Sequence, residues 1–218
     1  MTSSGKTVVV IGATGATGSA LVHKLLDHPK VDKVIALVRH PKLVRHPKLR
    51  QVTVDFNHLE DYASEIRGDV AFSCLGTTLK AAGSKENQWI VDVDFQYRFA
   101  QVAADNSVPV FVLVSSIGAN PSSAMFYPRM KGTLEEQIKN LHFQHTIIFR
   151  PAPLVRPSTD RIGEKLGVKA MQWINRLGLL KHYRPIKVST LARSMISAAF
   201  HPNERLSYLG VKEILDSQ

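Results

Sequence analysis

The fold class this 218-residue chain predicts is α/β, a doubly wound parallel sheet with a small C-terminal cap. Three observations predict it. Short runs rich in Val and Ile alternate with longer amphipathic runs, the pattern of strands and crossover helices. Most of the short runs are apolar on both faces, as strands covered by helices on both sides must be. The first run leads directly into a glycine string that opens a helical pattern.

In chain order, strands are expected at Thr7–Ile11, Lys33–Val38, Gln51–Val54, Val70–Ser73, Val110–Val114 and Thr146–Phe149. Helices are expected at Ala16–Leu26, Leu59–Ile66, Lys85–Asn106 and Met130–Asn140. Arg150-Pro151-Ala152-Pro153 then breaks regular structure. Beyond it a helix is expected at Gly163–Leu177, with Trp173 and Ile174 on its apolar face, and another at Ser189–Phe200. An edge strand at Leu206–Leu209 and a short helix at Lys212–Asp216 complete the chain. The expectation is one domain over 1–218, with residues from about 151 onward forming a cap on the substrate side. The hexapeptide Val38-Arg39-His40-Pro41-Lys42-Leu43 is repeated at once as Val44-Arg45-His46-Pro47-Lys48-Leu49. One tandem copy reads as a duplication in a surface loop, which tolerates insertion.

Gly12-Ala13-Thr14-Gly15-Ala16-Thr17-Gly18 follows the first strand. Gly12 allows the tight turn, Gly15 lets backbone approach a pyrophosphate, and Gly18 lets helix pack against sheet. The free N–H groups of the helix start at Ala16, Thr17 and Gly18 face the phosphates, helped by the helix dipole. Thr14 and Thr17 add hydroxyl donors. The spacing is G-x-x-G-x-x-G, and the order strand, string, helix gives it meaning as a dinucleotide site. At the end of the second strand a carboxylate would bind the ribose of NAD, whereas arginine accommodates the 2′-phosphate of NADP. Arg39 stands there, with no acid until Asp55, so NADP(H) is expected over NAD(H). Arg45, in the repeated copy, is the alternative clamp. Asp55 is read either as facing the adenine amine or as a local cap. Cys74-Leu75-Gly76-Thr77-Thr78 follows the fourth strand, where an open α/β sheet binds ligands. Gly76 would let backbone approach the cofactor ribose, and Cys74 reads as a buried, inert thiol.

Tyr127-Pro128-Arg129-Met130-Lys131 is a Tyr-x-x-x-Lys spacing. Carbonyl reduction needs a proton donor at the oxygen that gathers negative charge. A phenol holds its proton to a pH near 10, and a nearby ammonium favours the phenolate. Helical i+4 spacing puts Lys131 beside Tyr127, and Pro128 suits the first turn of such a helix. Ser116, after the fifth strand, is the favoured oxyanion partner, with Ser115 second. Phe126, Trp173, His182 and Tyr183 are candidates to line a substrate pocket.

The remaining composition narrows the class. The net charge is +10, concentrated at residues 39–50, without interleaved aromatics or a nucleic-acid motif. That favours a basic protein with phosphorylated ligands over a nucleic-acid binder. A lone cysteine excludes an internal disulfide, and no apolar run is long enough for a membrane span. A short polar start carries no signal peptide, so a cytoplasmic location is expected. Nine histidines show no compact ligand spacing, so no metal is expected. The partners expected are a small-molecule substrate and no membrane, in a monomer or homodimer.

These strings together resemble the short-chain dehydrogenase/reductases of atypical or extended type. Within that superfamily the chain resembles the Tat-interacting-protein oxidoreductases and their bacterial relatives. The matching strings are the glycine string, Cys74 to Thr78, Ser115-Ser116-Ile117-Gly118-Ala119-Asn120, Tyr127 to Gly132, and Phe149-Arg150-Pro151. The resemblance implies an NADP(H)-binding Rossmann fold and a Ser-Tyr-Lys triad at Ser116, Tyr127 and Lys131. It also implies that Arg150 to Pro153 passes near the nicotinamide; Lys131 can also bond the nicotinamide ribose, and Ser115 is expected among the cofactor contacts. Asn120 stands where relatives commonly carry an acid. The functional expectation is an NADP(H)-dependent oxidoreductase acting on a small carbonyl or alcohol. The alternative is an NADP(H)-binding regulatory or redox-sensing protein with little turnover.

Overall fold

The computed structural model describes residues 5–152, 154–155 and 185–216. A seven-stranded parallel sheet organises them. Its strands are β1 (Lys6–Ile11), β2 (Val31–Val38), β3 (Leu49–Thr53), β4 (Val70–Ser73), β5 (Val110–Val114), β6 (His145–Phe149) and β9 (Leu206–Leu209), in spatial order β3-β2-β1-β4-β5-β6-β9. β7 (Leu154–Val155) and β8 (Ile186–Lys187) form a separate two-residue parallel pair. The reversal of order at β1 makes this a Rossmann-type doubly wound sheet, with a crevice at the carboxyl ends of its central strands.

The apolar runs form strands because both faces are covered. Val8 and Val10 of β1 join the core on one face with helices α1 (Ala16–Leu26) and α6 (Val188–Phe200), while Val9 and Ile11 join the core on the other. The second face carries α4 (Phe95–Asp105) and α5 (Phe126–Lys139), with Phe99 and Phe111 6.0 Å apart. A final helix, α7 (Val211–Asp216), follows β9.

Several elements differ from expectation. Residues 59–65 wind as a 3-10 helix, broken by non-helical backbone at Tyr62. The run expected at Lys85–Asn106 is preceded by a one-turn helix, α2 (Leu79–Ala82), and is itself composite. It comprises α3 (Lys85–Trp89), a π-helical turn at Ile90–Asp94, and α4. Such a turn inserts one residue and rotates the side chains that follow it. α5 starts at Phe126, four residues before the expected Met130, because Pro128 is tolerated in a first turn. The helix expected at Gly163–Leu177, with Trp173 and Ile174, and Pro153, His182 and Tyr183 lie outside the described residues.

Candidate functional site

The glycine string turns from β1 into α1, and each glycine has a different neighbour. Gly12 has φ +73°, and a Cβ on it would lie 2.4 Å from the Cys74 carbonyl carbon. A Cβ on Gly18 would lie 2.1 Å from the Gly12 oxygen, so α1 touches the turn at that point. Gly15 is the N-cap of α1 and offers no side-chain cap. The first-turn N–H groups of Ala16, Thr17 and Gly18 therefore have no side-chain acceptor at the cap, leaving the helix end suited to an anion. Thr14 is exposed and Thr17 buried.

Beside this turn lies a cleft of about 130 Å³ lined by Gly12, Ala13, Thr14, Leu37, Val38, Arg39, His40, Lys42, Phe56 and Leu75. It gathers Gly12, Thr14, Arg39 and Leu75 of the expected residues. His40, Lys42 and Phe56 were not anticipated. The signal for Phe56 was available in its place directly after Asp55 beyond the third strand. The two hexapeptide copies part company here. Arg39 of the first copy lines the cleft. The second copy runs into β3, where His46 Nδ1 accepts the Lys48 N–H at 3.2 Å and Lys48 Nζ donates to the His28 carbonyl at 3.3 Å. Asp55 is exposed and accepts both the N–H and the amide of Asn57 at 2.9 Å, the first of which chiefly holds its carboxyl below the usual range. Asp55 thus makes a local turn and is not among the cleft-lining residues. A larger hollow of about 420 Å³, lined by Lys24, His28, Arg193, Phe200 and His201 among others, lies at the carboxyl ends of α1 and α6, away from the glycine turn. Cations at helix C-termini complement the helix dipoles.

The loop after β4 links the glycine turn to α5, the helix that carries Tyr127 and Lys131. The Cys74 N–H donates to the Ile11 carbonyl at 3.0 Å. Desolvation pushes the Cys74 thiol up to about 12, which keeps it protonated and unreactive near neutral pH. Gly76 has room for a side chain, its nearest neighbour being an Asp92 oxygen at 3.6 Å. The Thr77 N–H donates to Asp92 Oδ2 at 2.8 Å, and Lys131 Nζ lies 2.7 Å from Asp92 Oδ1. Both side chains of that ion pair are buried. Gln96 donates to the Asp92 carbonyl and accepts from Ser73. Asp92 sits on the π turn, so a local defect in the helix aims a carboxylate at the loop and at α5. The sequence pattern did not reveal it. An acid inside an apolar helical stretch was the available sign.

Ser115, Ser116, Tyr127 and Lys131 all lie beyond the carboxyl end of β5. The hydroxyl of Ser115 donates to the buried Glu135. Ser116 is half-buried, and among the described residues its hydroxyl makes one long bond, to the Ile117 carbonyl at 3.3 Å. Tyr127 is exposed, and its hydroxyl has no hydrogen-bond partner among the described residues. The i+4 spacing brings Tyr127 and Lys131 onto one side of α5, but the ammonium turns inward to Asp92 because a buried charge requires a counter-charge. Arg150 reaches Glu135 with Nε at 3.1 Å and with a second guanidinium nitrogen, and stacks 4.4 Å over the Tyr208 ring. Its hydrogen bond to Glu135 raises its already high pKa. Pro151 is buried, and its carbonyl accepts from the Ile117 N–H. Arg150 and Pro151 thereby brace the Ser115–Ile117 strand end.

The family model described as NAD(P)H-binding matches residues 12–172. The chain belongs to this family. Curated relatives include "Protein FMP52, mitochondrial" of Candida albicans, 32% identical over 87% of this chain and 86% of its own length. Another is "Protein fmp52-1, mitochondrial" of Aspergillus terreus, 37% identical over 66% of this chain and spanning 65% of that protein. Among solved structures, the family fold recurs in the Bordetella bronchiseptica enzyme WbmH in complex with NAD+. Its TM-score is 0.73, at 19% identity over 97% of this chain and 79% of that one. The human epimerase family protein SDR39U1 with NADPH superimposes with TM-score 0.63, at 17% identity over 94% and 74%. The expected cytoplasmic location is overturned, since these curated relatives are named as mitochondrial proteins. A short polar start was not a sound guide to compartment.

Proposed function

We propose that this family member is an NADP(H)-dependent oxidoreductase of short-chain dehydrogenase type, acting on a small carbonyl or alcohol through Ser116, Tyr127 and Lys131. The observation carrying this reading is the Asp92 clamp. One carboxylate binds Thr77 in the loop packed on Gly12 and Lys131 in the helix that bears Tyr127. Cofactor turn and proton donor therefore share one rigid frame at one end of the sheet.

The residues present fit the cofactor. Gly12 and Gly18 leave no space for side chains and so keep the backbone low, while the uncapped α1 start would hold the pyrophosphate. Arg39 and Lys42 give the cleft cations, with no carboxylate among its lining residues, which supports NADP(H) over NAD(H). When bound, the reduced nicotinamide supplies a hydride to the carbonyl carbon. The Tyr127 hydroxyl gives its proton to the carbonyl oxygen, and Ser116 donates a hydrogen bond to that oxygen as charge builds. Lys131 holds positive charge one turn from the phenol, and Asp92 fixes where it stands. Ser115 is occupied by Glu135, which supports Ser116 as the oxyanion partner. Resemblance to the Tat-interacting-protein oxidoreductases rests on the strings around Cys74–Thr78 and Tyr127–Gly132. The names of the fungal relatives favour a mitochondrial location for this chain too.

Tyr127→Phe is the direct test. Turnover of NADPH with a carbonyl panel should fall at least about 100-fold, the scale of one general acid. NADPH affinity should stay within about twofold, because the hydroxyl is outside the cleft around Gly12. Undiminished turnover would sink the assignment. One observation favours a second reading, a cofactor-binding regulator: the Lys131 ammonium is already paired and the Tyr127 hydroxyl has no partner among the described residues. Deuterium-labelled NADPH separates the two, since only the enzyme passes its label to a carbonyl.

A further inference from the structure

The hollow of about 420 Å³ at the carboxyl ends of α1 and α6 shares no lining residue with the cleft beside Gly12. Its size is that of a small-molecule site, for which roughly 300–1,000 Å³ is usual. Its floor is apolar. Ile196 lines it from a buried position, and the half-buried Phe200 ring meets the His28 ring edge-on at 4.9 Å. Its rim is cationic. Lys24 and Arg193 line it, and neither makes an ion pair or a side-chain hydrogen bond among the described residues. Lys48 Nζ reaches the His28 carbonyl at 3.3 Å, and Lys6 Nζ stands 5.9 Å over the Phe200 ring. Helix dipoles do not explain this excess, since each helix end contributes only about half a negative charge. Asp27 is the one carboxylate among the lining residues, and Lys24, Lys30, Lys48 and Arg193 outweigh it together with both helix ends. The field acts on His28, which is held below the usual histidine range by desolvation first and then by Lys30, Lys48 and His201. An anion would relieve that repulsion. An apolar floor under unpaired cations fits a ligand with one charged end and an apolar body, and the guanidinium fork of Arg193 matches the two oxygens of a carboxylate. We propose that this hollow is a second ligand site, separate from the dinucleotide cleft, and that it binds a small amphiphilic carboxylate, a free medium-chain acid.

The test is calorimetric titration of the whole protein near neutral pH, with and without NADPH, using sodium octanoate as the probe. From butanoate to octanoate Kd should fall about two- to fourfold per CH2, the span expected for burying a methylene. Octanol has the same tail without the charge and should bind at least about tenfold more weakly, as for a lost charge-assisted hydrogen bond. Arg193→Gln should weaken octanoate by a similar factor. Ser197→Trp, which fills the hollow from its exposed edge, should abolish binding. Both parent side chains are exposed, so an unchanged Tm is expected for each variant. NADPH should shift the octanoate Kd by less than about twofold, as for sites without coupling. Octanol binding as tightly as octanoate, displacement of octanoate by NADPH, or either variant binding octanoate like the parent would overturn the site. Octyl phosphate binding at least about tenfold tighter than octanoate would overturn the carboxylate assignment, because a phosphate draws on the same donors. Arg193-dependent sedimentation with vesicles of anionic phospholipid, with no octanoate bound, would overturn it in favour of a membrane surface.

Discussion

A carboxylate and an ammonium buried together lose their hydration, and the loss is recovered only if each keeps the other. Asp92 and Lys131 are in that position, exposed by 1% and 4%. Asp92→Asn would keep an acceptor for the Thr77 N–H but leave the Lys131 charge alone in the interior. Breaking such a pair costs about 3–5 kcal/mol. In a chain of this length that lowers Tm by roughly 10 °C. Asp92→Asn/Lys131→Met removes both charges and should recover most of the loss while staying inactive with every carbonyl. Calorimetry of the two variants decides the matter. A single variant as stable as the parent would mean that solvent reaches the pair. Glu135, four residues after Lys131 on α5, is buried but pairs with the part-exposed Arg150, and Ser115 supplies it a further hydrogen bond.

The elements transmit these contacts by how closely they dock. On α5, Gly132 lies against the loop before it. A Cβ there would stand 2.2 Å from the Pro121 nitrogen and 2.3 Å from the Asn120 carbonyl carbon. Both neighbours are backbone, so Gly132→Ala must displace the helix. A cost of about 2–3 kcal/mol, typical of overpacking, should lower Tm by roughly 4–12 °C. Because Tyr127 and Lys131 ride on the same helix, kcat should fall more than NADPH affinity, and steady-state kinetics beside a binding titration measures both. Equal stability of Gly132→Ala and its parent would refute the close docking. Gly132 was legible as part of a string, but its reason was not, because the contact is to residues eleven and twelve positions earlier. Strands β1, β4 and β5 could be read to within a residue, since runs such as Val8-Val9-Val10-Ile11 are apolar on both faces and admit no other place. The 3-10 winding at 59–65 and the π turn at 90–94 could not. Both are departures from regular periodicity, at Tyr62 and around Asp92. The site was read in the same uneven way. Arg39 followed from its place after β2, while Asp92 showed only as an acid in an apolar stretch and Glu135 not at all, because their partners lie 39 and 15 residues on.

At the scale of the whole molecule, the order β3-β2-β1-β4-β5-β6-β9 puts the glycine turn at the point where strand succession reverses. Among the described residues, the glycine turn, Arg39 and the loop after β4 lie at the carboxyl ends of those strands. The end of the second hexapeptide copy, with Lys48 beside His28, is carried to the opposite ends, while Arg39 of the first lines the cleft. The cation that distinguishes the cofactors should therefore be Arg39, not Arg45. A ligand that binds only the folded state stabilises it by RT ln(1 + [L]/Kd), about 2.7 kcal/mol at 100 times Kd. That corresponds to a rise in Tm of roughly 5–10 °C for a chain of this size. NADPH should give such a rise at a concentration where NADH gives much less. Arg39→Ala should weaken NADPH about tenfold, in keeping with loss of a charge-assisted contact worth 1.5 kcal/mol or so, and should bring the two cofactors together, whereas Arg45→Ala should leave the difference intact. If Arg45→Ala equalises them and Arg39→Ala does not, the first copy is not the clamp. If NADH stabilises the parent as well as NADPH does, the cationic cleft holds no 2′-phosphate at all.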